Sequence, residues 1–206
     1  MEIITFVLWF AVGFVFGSVP SGLWLVKAIH GIDIRQYGSK NIGSTNVFRT
    51  VGGKTAALVL LCDAGKGILA ALLADMVTGG DLYAVLFAAI GALLGHNYSL
   101  FLGFKGGRGV ATGLGLLIFL MPKVSGICFL VWLAIVLATR YVSLGSCVGA
   151  LCAPFLAFYF GYPLPVIIFA AIAAAFVIIR HKDNIKRLLN GTESKIKQGH
   201  AEDLKK

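Results

Sequence analysis

The segment from Asp33 to Arg49 is the longest polar stretch that precedes the C-terminal tail of this 206-residue chain. It contains Gly38 and Gly43 together with several hydroxyl, amide and guanidinium side chains. Glycine lets the backbone approach a ligand closely, and the polar side chains donate further hydrogen bonds to an anion. The composition fits a phosphate-binding loop and a solvated connector between two membrane helices about equally.

A second polar cluster runs from Gly95 to Thr112 and includes the turn Gly106-Gly107-Arg108-Gly109 after Lys105. The turn precedes an apolar helix, and a helix N-terminus beside a lysine and an arginine is suited to phosphate. The spacing of a Walker loop is missing. Taken alone, the cluster therefore slightly favours a Gly-rich turn with two basic membrane anchors over a phosphate site.

A third cluster extends from Arg180 to Glu193. His181, Asn184 and Arg187 are spaced three residues apart, so a helix would align them as one polar strip. The alternative is a basic amphipathic tail that lies on anionic lipid, and this is the interpretation favoured from Lys195 onward.

The elements that must position these clusters are membrane helices. The chain is 58% hydrophobic and 13% charged, with a mean hydropathy of +0.89, whereas soluble domains carry about 25% charged residues. Several apolar runs reach the roughly 20 residues that cross a bilayer as a helix, and none shows the alternation of a β-barrel. The sequence predicts an all-α integral membrane protein, with residues 1–206 forming a single polytopic domain.

Seven transmembrane helices are predicted, with a short, Gly-rich fourth span that is partial or tilted. They cover 3–27, 54–76, 82–101, 110–122, 124–140, 143–161 and 164–180. All but two of the 18 lysines and arginines lie in or beside three loops and the tail, at 28–53, 102–109, 140–143 and 181–206. The positive-inside rule places these segments in the cytoplasm and the N-terminus outside. The three clusters are therefore expected to form an active site at the cytoplasmic face.

Other features exclude some classes of protein. The four cysteines lie in apolar runs without metal-ligand spacing, so neither a disulfide set nor a zinc site is predicted. The formal charge of +9 reflects basic cytoplasmic loops rather than nucleic-acid binding. Met1-Glu2 lacks the basic start of a signal peptide, so the first helix is expected to be retained. Asp63 and Lys66, three residues apart in the second span, are predicted to form a structural ion pair.

At these residues the chain resembles the bacterial acyl-phosphate:glycerol-3-phosphate acyltransferases, the PlsY family, over nearly its whole length. Three motifs carry the resemblance: Gly38-Ser39-x-Asn41-x-Gly43-x-Thr45-Asn46-x-x-Arg49, the turn from Phe104 to Thr112, and His181-x-x-Asn184-Ile185-x-Arg187-Leu188-x-x-Gly191-x-Glu193. Arg108 departs from the family pattern, which has lysine after the glycine pair. Arginine keeps the charge but changes the geometry of the donors.

The resemblance implies a multi-pass protein of the bacterial inner membrane that moves a fatty acyl group from acyl phosphate to the 1-hydroxyl of glycerol 3-phosphate. The products would be lysophosphatidic acid and phosphate, and the family uses no metal or cofactor. The implied partners are the two substrates, membrane lipid and the enzyme that makes acyl phosphate, with no nucleic acid.

The resemblance also implies roles for individual residues. The acyl-phosphate pocket would be formed by Gly38, Asn41, Gly43, Thr45, Asn46 and Ser143. Glycerol 3-phosphate would be held by Ser39, Arg49, Lys105, His181 and Asn184, of which Ser39, His181 and Asn184 form the catalytic set.

Two mechanisms stay open at this stage. No strong nucleophile set is evident, and the His-x4-Asp pair of soluble-type acyltransferases is missing, because the fifth residue after His96 is Phe101. Acyl phosphate is already activated, so positioning and charge stabilisation suffice if the departing phosphate takes the hydroxyl proton. The rival mechanism uses His181 as the general base.

Two other functions are compatible with parts of the sequence. An organic-phosphate transporter or channel would use the same basic pockets together with the Asp63–Lys66 pair. It predicts polar residues along a path through the membrane, yet the outward loops are short and internal repeats are not evident. A non-catalytic protein that binds anionic lipid through its tail leaves the first two clusters unexplained.

Overall fold

The computed structural model of the protein is all-helical. The structure describes residues 2–197 and 199, and in this part of the chain it contains ten α-helices and two short 3-10 turns, at Ile34–Gln36 and Leu100–Leu102. The α-helices are α1 (Glu2–Ser18), α2 (Ser21–His30), α3 (Ser44–Val51), α4 (Gly53–Thr78), α5 (Leu82–Asn97), α6 (Val110–Leu120), α7 (Pro122–Thr139), α8 (Val142–Tyr159), α9 (Leu164–Arg180) and α10 (Lys182–Leu189).

Each predicted span is helical, but the first is not continuous. The segment 3–27 is divided between α1 and α2 at Val19 and Pro20. Proline lacks an N–H group and disfavours helical backbone at the residue before it. The predicted third span, 82–101, also ends earlier, because α5 stops at Asn97.

The described residues contain five helical segments that are long and apolar enough to cross a membrane, so the protein is a multi-pass helical membrane protein. The α9 helix joins this group only as a pair with α10, bent by 60°. The α6 helix has 11 residues and is about 16 Å long, whereas the hydrocarbon core is about 30 Å thick. The count of seven crossings stays a prediction.

Close backbone contact holds α1 against α5. Gly13 and Gly17 lie against the backbone of Ala88 and Ala92, and a Cβ atom at either glycine would collide with it. Small residues at four-residue spacing permit this approach between membrane helices. The α1–α5 pair contributes to the larger of two apolar cores, which also includes residues of α4 and of α6 to α9.

A second, smaller core lies beneath the first polar segment. Its buried residues include Leu23 of α2, Ile34 of the 3-10 turn, Val47 of α3 and Val59 of α4. The predicted loop 28–53 is therefore a folded unit that contains the end of α2, a 3-10 turn and α3. The amphipathic pattern of α3 explains this, because Val47 and Val51 are buried on one face.

The predicted ion pair in α4 is confirmed. Lys66 Nζ lies 2.8 Å from Asp63 Oδ1 and donates a hydrogen bond to the carbonyl oxygen of Val19, also at 2.8 Å. That carbonyl belongs to the break between α1 and α2, where a helical backbone partner is missing. The pair therefore joins α4 to the break, and His96 Nδ1 lies 3.7 Å from the same Asp63 oxygen.

Candidate active site

A cavity of about 200 Å³ brings the three polar clusters together. One end is polar, and its lining includes Ser39, Asn41, Thr45, Arg49, Arg108, Ser143, His181 and Glu193. The rest lies among α6, α7, α8 and α9, and its lining includes Leu117, Phe129, Trp132, Ala153, Ala170 and Ala173. The cavity thus joins a charged end to an apolar arm.

The first wall of the cavity is the unit formed by residues 31–51, and Asn46 holds its loop closed. Asn46 Oδ1 accepts a hydrogen bond from the Ser39 N–H at 2.9 Å. Its Nδ2 donates to the carbonyls of Asn41 at 2.8 Å and Tyr37 at 3.1 Å. Gly38 has a φ of 55°, and a Cβ atom there would collide with Asn46 Oδ1. Asn46 therefore shapes the loop with both ends of its amide.

The second wall is the turn of residues 105–109. Arg180 at the end of α9 donates from Nε to the Gly107 carbonyl and from Nη2 to the Gly106 carbonyl, both at 3.1 Å. Its guanidinium also lies 5.3 Å from the centroid of the Tyr98 ring, a cation–π distance. The Gly107 N–H donates to the His96 carbonyl at 2.9 Å.

The third wall comprises α10 and the residues that follow it, and Glu193 is its centre. Glu193 Oε1 accepts hydrogen bonds from Ser143 Oγ at 2.8 Å and Asn184 Nδ2 at 2.6 Å. Its Oε2 accepts one from Arg187 Nε at 2.7 Å. Burial alone would raise the pKa of the Glu193 carboxyl, but these donors outweigh burial and lower its pKa overall. The carboxylate is therefore ionised at neutral pH.

Residues 192–197 and 199, which we call the C-terminal strap, connect this wall to α3 and to the turn between α7 and α8. The Ile196 N–H donates to the Arg140 carbonyl at 2.8 Å, and the Gly199 N–H donates to the Phe48 carbonyl at 3.1 Å. The Ser194 carbonyl accepts a bond from Arg49 Nη2 at 2.7 Å.

The strap differs from the lipid-bound tail predicted from Lys195 onward. Lys195 lies over the ring of Tyr141, with 5.7 Å between its Nζ and the ring centroid. The strap thus packs on protein because its backbone N–H groups find carbonyl partners there. Residues 198 and 200–206, to which the same prediction extends, lie outside the described residues.

His181 lies in the bend between α9 and α10 and lines the cavity. Its Nδ1 is 2.8 Å from the Val177 carbonyl oxygen. A carbonyl oxygen only accepts hydrogen bonds, so Nδ1 carries the proton. In the neutral ring, Nε2 is then left with its lone pair.

Positive charge exceeds negative charge around the polar end. Burial lowers the pKa of the Arg108 guanidinium, and the nearby positive charges of Arg187, Arg49 and Arg180 lower it further, while Glu193 opposes them. Glu193 therefore acts on three arginines at this end of the cavity: Arg49, Arg108 and Arg187. Such an excess of guanidinium donors suits an anionic group with several oxygens.

Eight of the predicted site residues line the cavity: Ser39, Asn41, Gly43, Thr45, Asn46, Arg49, Ser143 and His181. Gly38 and Asn184 lie behind the lining, where they contact Asn46 and Glu193 respectively. Lys105 is exposed and lies outside it. The described residues contain no group of three or more His, Cys, Asp or Glu side chains that could hold a metal ion.

Sequence reasoning missed the central place of Glu193 and the contribution of Asp63 and His96 to the lining. The only signal for Glu193 was its position at the end of the third motif. Arg108 lines the cavity as well, so the residue that departs from the family pattern belongs to the site.

The fold and the cavity define a multi-pass helical membrane protein with an arginine-rich site beside an apolar arm. The model of the family described as "Glycerol-3-phosphate acyltransferase" matches residues 7–191, and the chain belongs to that family.

Individual relatives agree with this assignment. A protein of Moorella thermoacetica named "Glycerol-3-phosphate acyltransferase 2" is 48% identical over 185 residues, which cover 90% of this chain and 94% of the relative. A glycerol-3-phosphate acyltransferase of Synechococcus sp. (strain JA-3-3Ab) is 45% identical over 92% of this chain and 93% of the relative. The crystal structure of PlsY in its glycerol 3-phosphate form superposes with a TM-score of 0.87, at 40% identity, over 98% of this chain and 99% of PlsY.

Proposed function

We propose that this protein transfers a fatty acyl group from acyl phosphate to the 1-hydroxyl of glycerol 3-phosphate, which yields lysophosphatidic acid and phosphate. Its relatives are named for the acceptor, and a second similar structure is the lysophosphatidic acid form of PlsY, with a TM-score of 0.84 at 38% identity. The acyl-phosphate donor is our inference from the resemblance and from the site.

The continuity of the cavity is the observation that carries the proposal. An acyl phosphate has an anionic head and a long apolar chain, and the cavity has an arginine-rich end that continues into an apolar arm. A solute pathway across the membrane would instead need polar residues along the arm, where the lining includes Phe129, Trp132 and Ala170.

We assign the two phosphate groups to different walls. The loop from Gly38 to Asn46 would hold the acyl-phosphate head, mainly through backbone N–H groups because Asn46 is engaged in closing the loop. Ser143 would join it by turning its hydroxyl from Glu193 to the phosphate. Glycerol 3-phosphate would be held by Arg49, Lys105 and Asn184, with Ser39 and His181 beside its hydroxyl. Asn184, which lies behind the lining and donates to Glu193, would turn toward the cavity to reach it. In this assignment the exposed side chain of Lys105 turns inward, and Arg108 supplies a second cation from the same turn.

The reaction then needs no separate nucleophile. The 1-hydroxyl oxygen attacks the acyl carbonyl carbon and forms the ester bond, while the bond between that carbon and the phosphate oxygen breaks. The hydroxyl proton passes to the departing phosphate. The arginines stabilise the charge on both phosphates. His181 Nε2, which can only accept a hydrogen bond, would orient glycerol 3-phosphate through its other hydroxyl, because the 1-hydroxyl proton goes to the phosphate.

We further propose that the site faces the cytoplasm of a bacterial cell, at the inner membrane, with the N-terminus outside. The three clusters meet at one end of the helices through contacts such as Ser143–Glu193 and Arg180–Gly107. The same end carries most of the lysines and arginines, which favour the cytoplasmic side. This orientation also gives access to the enzyme that makes acyl phosphate.

The proposal is tested by giving the purified protein glycerol 3-phosphate with acyl phosphate, acyl-CoA or acyl-carrier protein. We expect lysophosphatidic acid from acyl phosphate only. An Arg49→Gln variant serves as the site control, and we expect its rate to fall at least about tenfold because a charge-assisted phosphate contact is lost. No product from acyl phosphate with the unmodified protein would refute the proposal.

A further inference from the structure

Arg180 is a half-buried link between two walls of the cavity. It is the last residue of α9 and directly precedes His181, yet its guanidinium is engaged with the turn of residues 105–109. Two of its nitrogens donate to consecutive carbonyls, those of Gly106 and Gly107, each at 3.1 Å. The ring of Tyr98 packs on the same guanidinium at 5.3 Å.

These bonds fix the orientation of two peptide groups. In a trans peptide the C=O and the following N–H point in opposite directions. With the Gly106 carbonyl turned to Arg180, the Gly107 N–H faces the other way, where it donates to the His96 carbonyl at 2.9 Å. With the Gly107 carbonyl held likewise, the Arg108 N–H must also point away from Arg180.

The turn itself supplies little rigidity. Glycine has the weakest conformational preference of all residues, so the Gly106-Gly107 pair depends on its surroundings for a defined shape. Those surroundings are close: a Cβ atom at Gly106 would collide with the backbone of His96 and Asn97, and one at Gly107 with the His96 ring. Arg180 closes the remaining side of the turn.

We propose that Arg180 is a positioning residue for acyl transfer: it holds the Gly106-Gly107 turn so that Arg108 and the N-terminus of α6 stand at the cavity beside His181. It does not touch the substrate. This inference rests on the proposed function, and it predicts that loss of Arg180 weakens the binding of glycerol 3-phosphate, because that substrate is assigned to this turn.

Three variants distinguish the role of Arg180 in holding the turn from the effect of its positive charge. Arg180→Met removes the donors and the cation but keeps a long side chain. Arg180→Lys keeps the charge and the contact with Tyr98, but an ammonium group cannot match the fork that spans two carbonyls. Lys182→Met is the matched control, because it removes a neighbouring positive charge from an exposed side chain.

Steady-state kinetics and amide hydrogen exchange are measured on all three. For Arg180→Met we expect the KM for glycerol 3-phosphate to rise about tenfold or more, with the KM for acyl phosphate and kcat changed less than about threefold. For Arg180→Lys we expect an intermediate KM, and for Lys182→Met no change. In Arg180→Met, amide exchange should be faster than in the unmodified protein in peptides that cover residues 104–110, and it should be unchanged over residues 37–46.

An unchanged KM and unchanged exchange in Arg180→Met would overturn the inference, as would uniform acceleration of exchange across the protein. If Arg180→Met does not fold, the KM for glycerol 3-phosphate and the amide exchange of Arg180→Lys test the inference instead. Absence of lysophosphatidic acid with the unmodified protein would defeat the proposed function instead, while the exchange comparison still tests whether Arg180 holds the turn.

Discussion

The first and third walls of the cavity are held in place by different forces. The first wall, residues 31–51, rests on its own small apolar core, and Asn46 joins its loop through neutral hydrogen bonds. The third wall, formed by α10 and the strap, is joined to the rest of the protein around the charged carboxylate of Glu193. The stability of the first wall should therefore depend on apolar packing and on the Asn46 side-chain amide. The stability of the third wall should depend on the charge of Glu193.

The largest effect is expected from Glu193→Ala. This change removes the acceptor for Ser143, Asn184 and Arg187 and leaves the arginines without their shared carboxylate. The Glu193 side chain is buried, but the Arg187 side chain is 40% exposed, so the loss should lie at the lower end of the about 3–5 kcal/mol that breaking a buried ion pair costs. We therefore expect the free energy of unfolding to fall by about 3 kcal/mol. Denaturant titration in mixed micelles measures it.

Asp33→Asn is the matched control for that prediction. Asp33 forms an ion pair with Arg35 at 2.6 Å, but the Arg35 side chain is 49% exposed and the Asp33 side chain 24% exposed. Exposed pairs contribute about 0–1 kcal/mol. If Asp33→Asn destabilised the protein as much as Glu193→Ala, the contrast between the two walls would be wrong.

Asn46→Ala is expected to have the next largest effect. The side chain is buried, and its loss leaves the Ser39 N–H and the Asn41 carbonyl without their partner. Each unsatisfied group costs about 1–3 kcal/mol. We therefore expect the free energy of unfolding, measured by the same titration, to fall by about 2–3 kcal/mol. The exposed Asn190→Ala is the control, and equal stabilities of the two variants would contradict this account of the first wall.

Acid should loosen the third wall selectively. The folded-state pKa of Glu193 lies below its ordinary value of 4.5, so its contribution to stability is present above pH 4.5 and is lost as pH falls through the folded pKa. The difference in unfolding free energy between the unmodified protein and Glu193→Gln should therefore shrink below pH 4.5. A difference that stays constant down to pH 3 would exclude this linkage.

The smallest predicted effect concerns the chemistry. If the departing phosphate takes the proton, His181→Ala should raise the KM for glycerol 3-phosphate and lower kcat by no more than about tenfold. A general base contributes about 10²–10⁴-fold. A loss of kcat in that range or beyond, with KM unchanged, would instead identify His181 as the base.

The contrast between the first and third walls also explains which features could be predicted from the sequence. Hydrophobic runs predict the membrane helices because length and hydropathy are local properties. The prediction of one continuous span over 3–27 was wrong, because Pro20 breaks it between α1 and α2. The first motif identifies the first wall, since its residues lie close together in sequence. Asn46 was predicted to bind acyl phosphate, yet its amide closes the loop, which only the folded positions of Tyr37 and Asn41 reveal.

The third wall could not be predicted as well. Glu193 meets Ser143 across 50 residues of sequence, and no local pattern encodes that contact. The sequence places Arg180 at the start of the third cluster, but it does not predict that Arg180 bonds a turn more than 70 residues away. The sequence places both Lys105 and Arg108 beside a phosphate-suited helix N-terminus, and the resemblance assigns glycerol 3-phosphate to Lys105 alone. Only Arg108 lines the cavity, because which of the two faces it depends on the orientation of the turn.

The central claim is that acyl transfer occurs in the shared cavity, with cleavage between the acyl carbon and the phosphate oxygen. Acyl phosphate that carries ¹⁸O in the bridging position tests it directly when supplied with glycerol 3-phosphate to the purified protein. We predict unlabelled lysophosphatidic acid and inorganic phosphate that retains the label. Label recovered in free fatty acid, or no lysophosphatidic acid, would contradict the account.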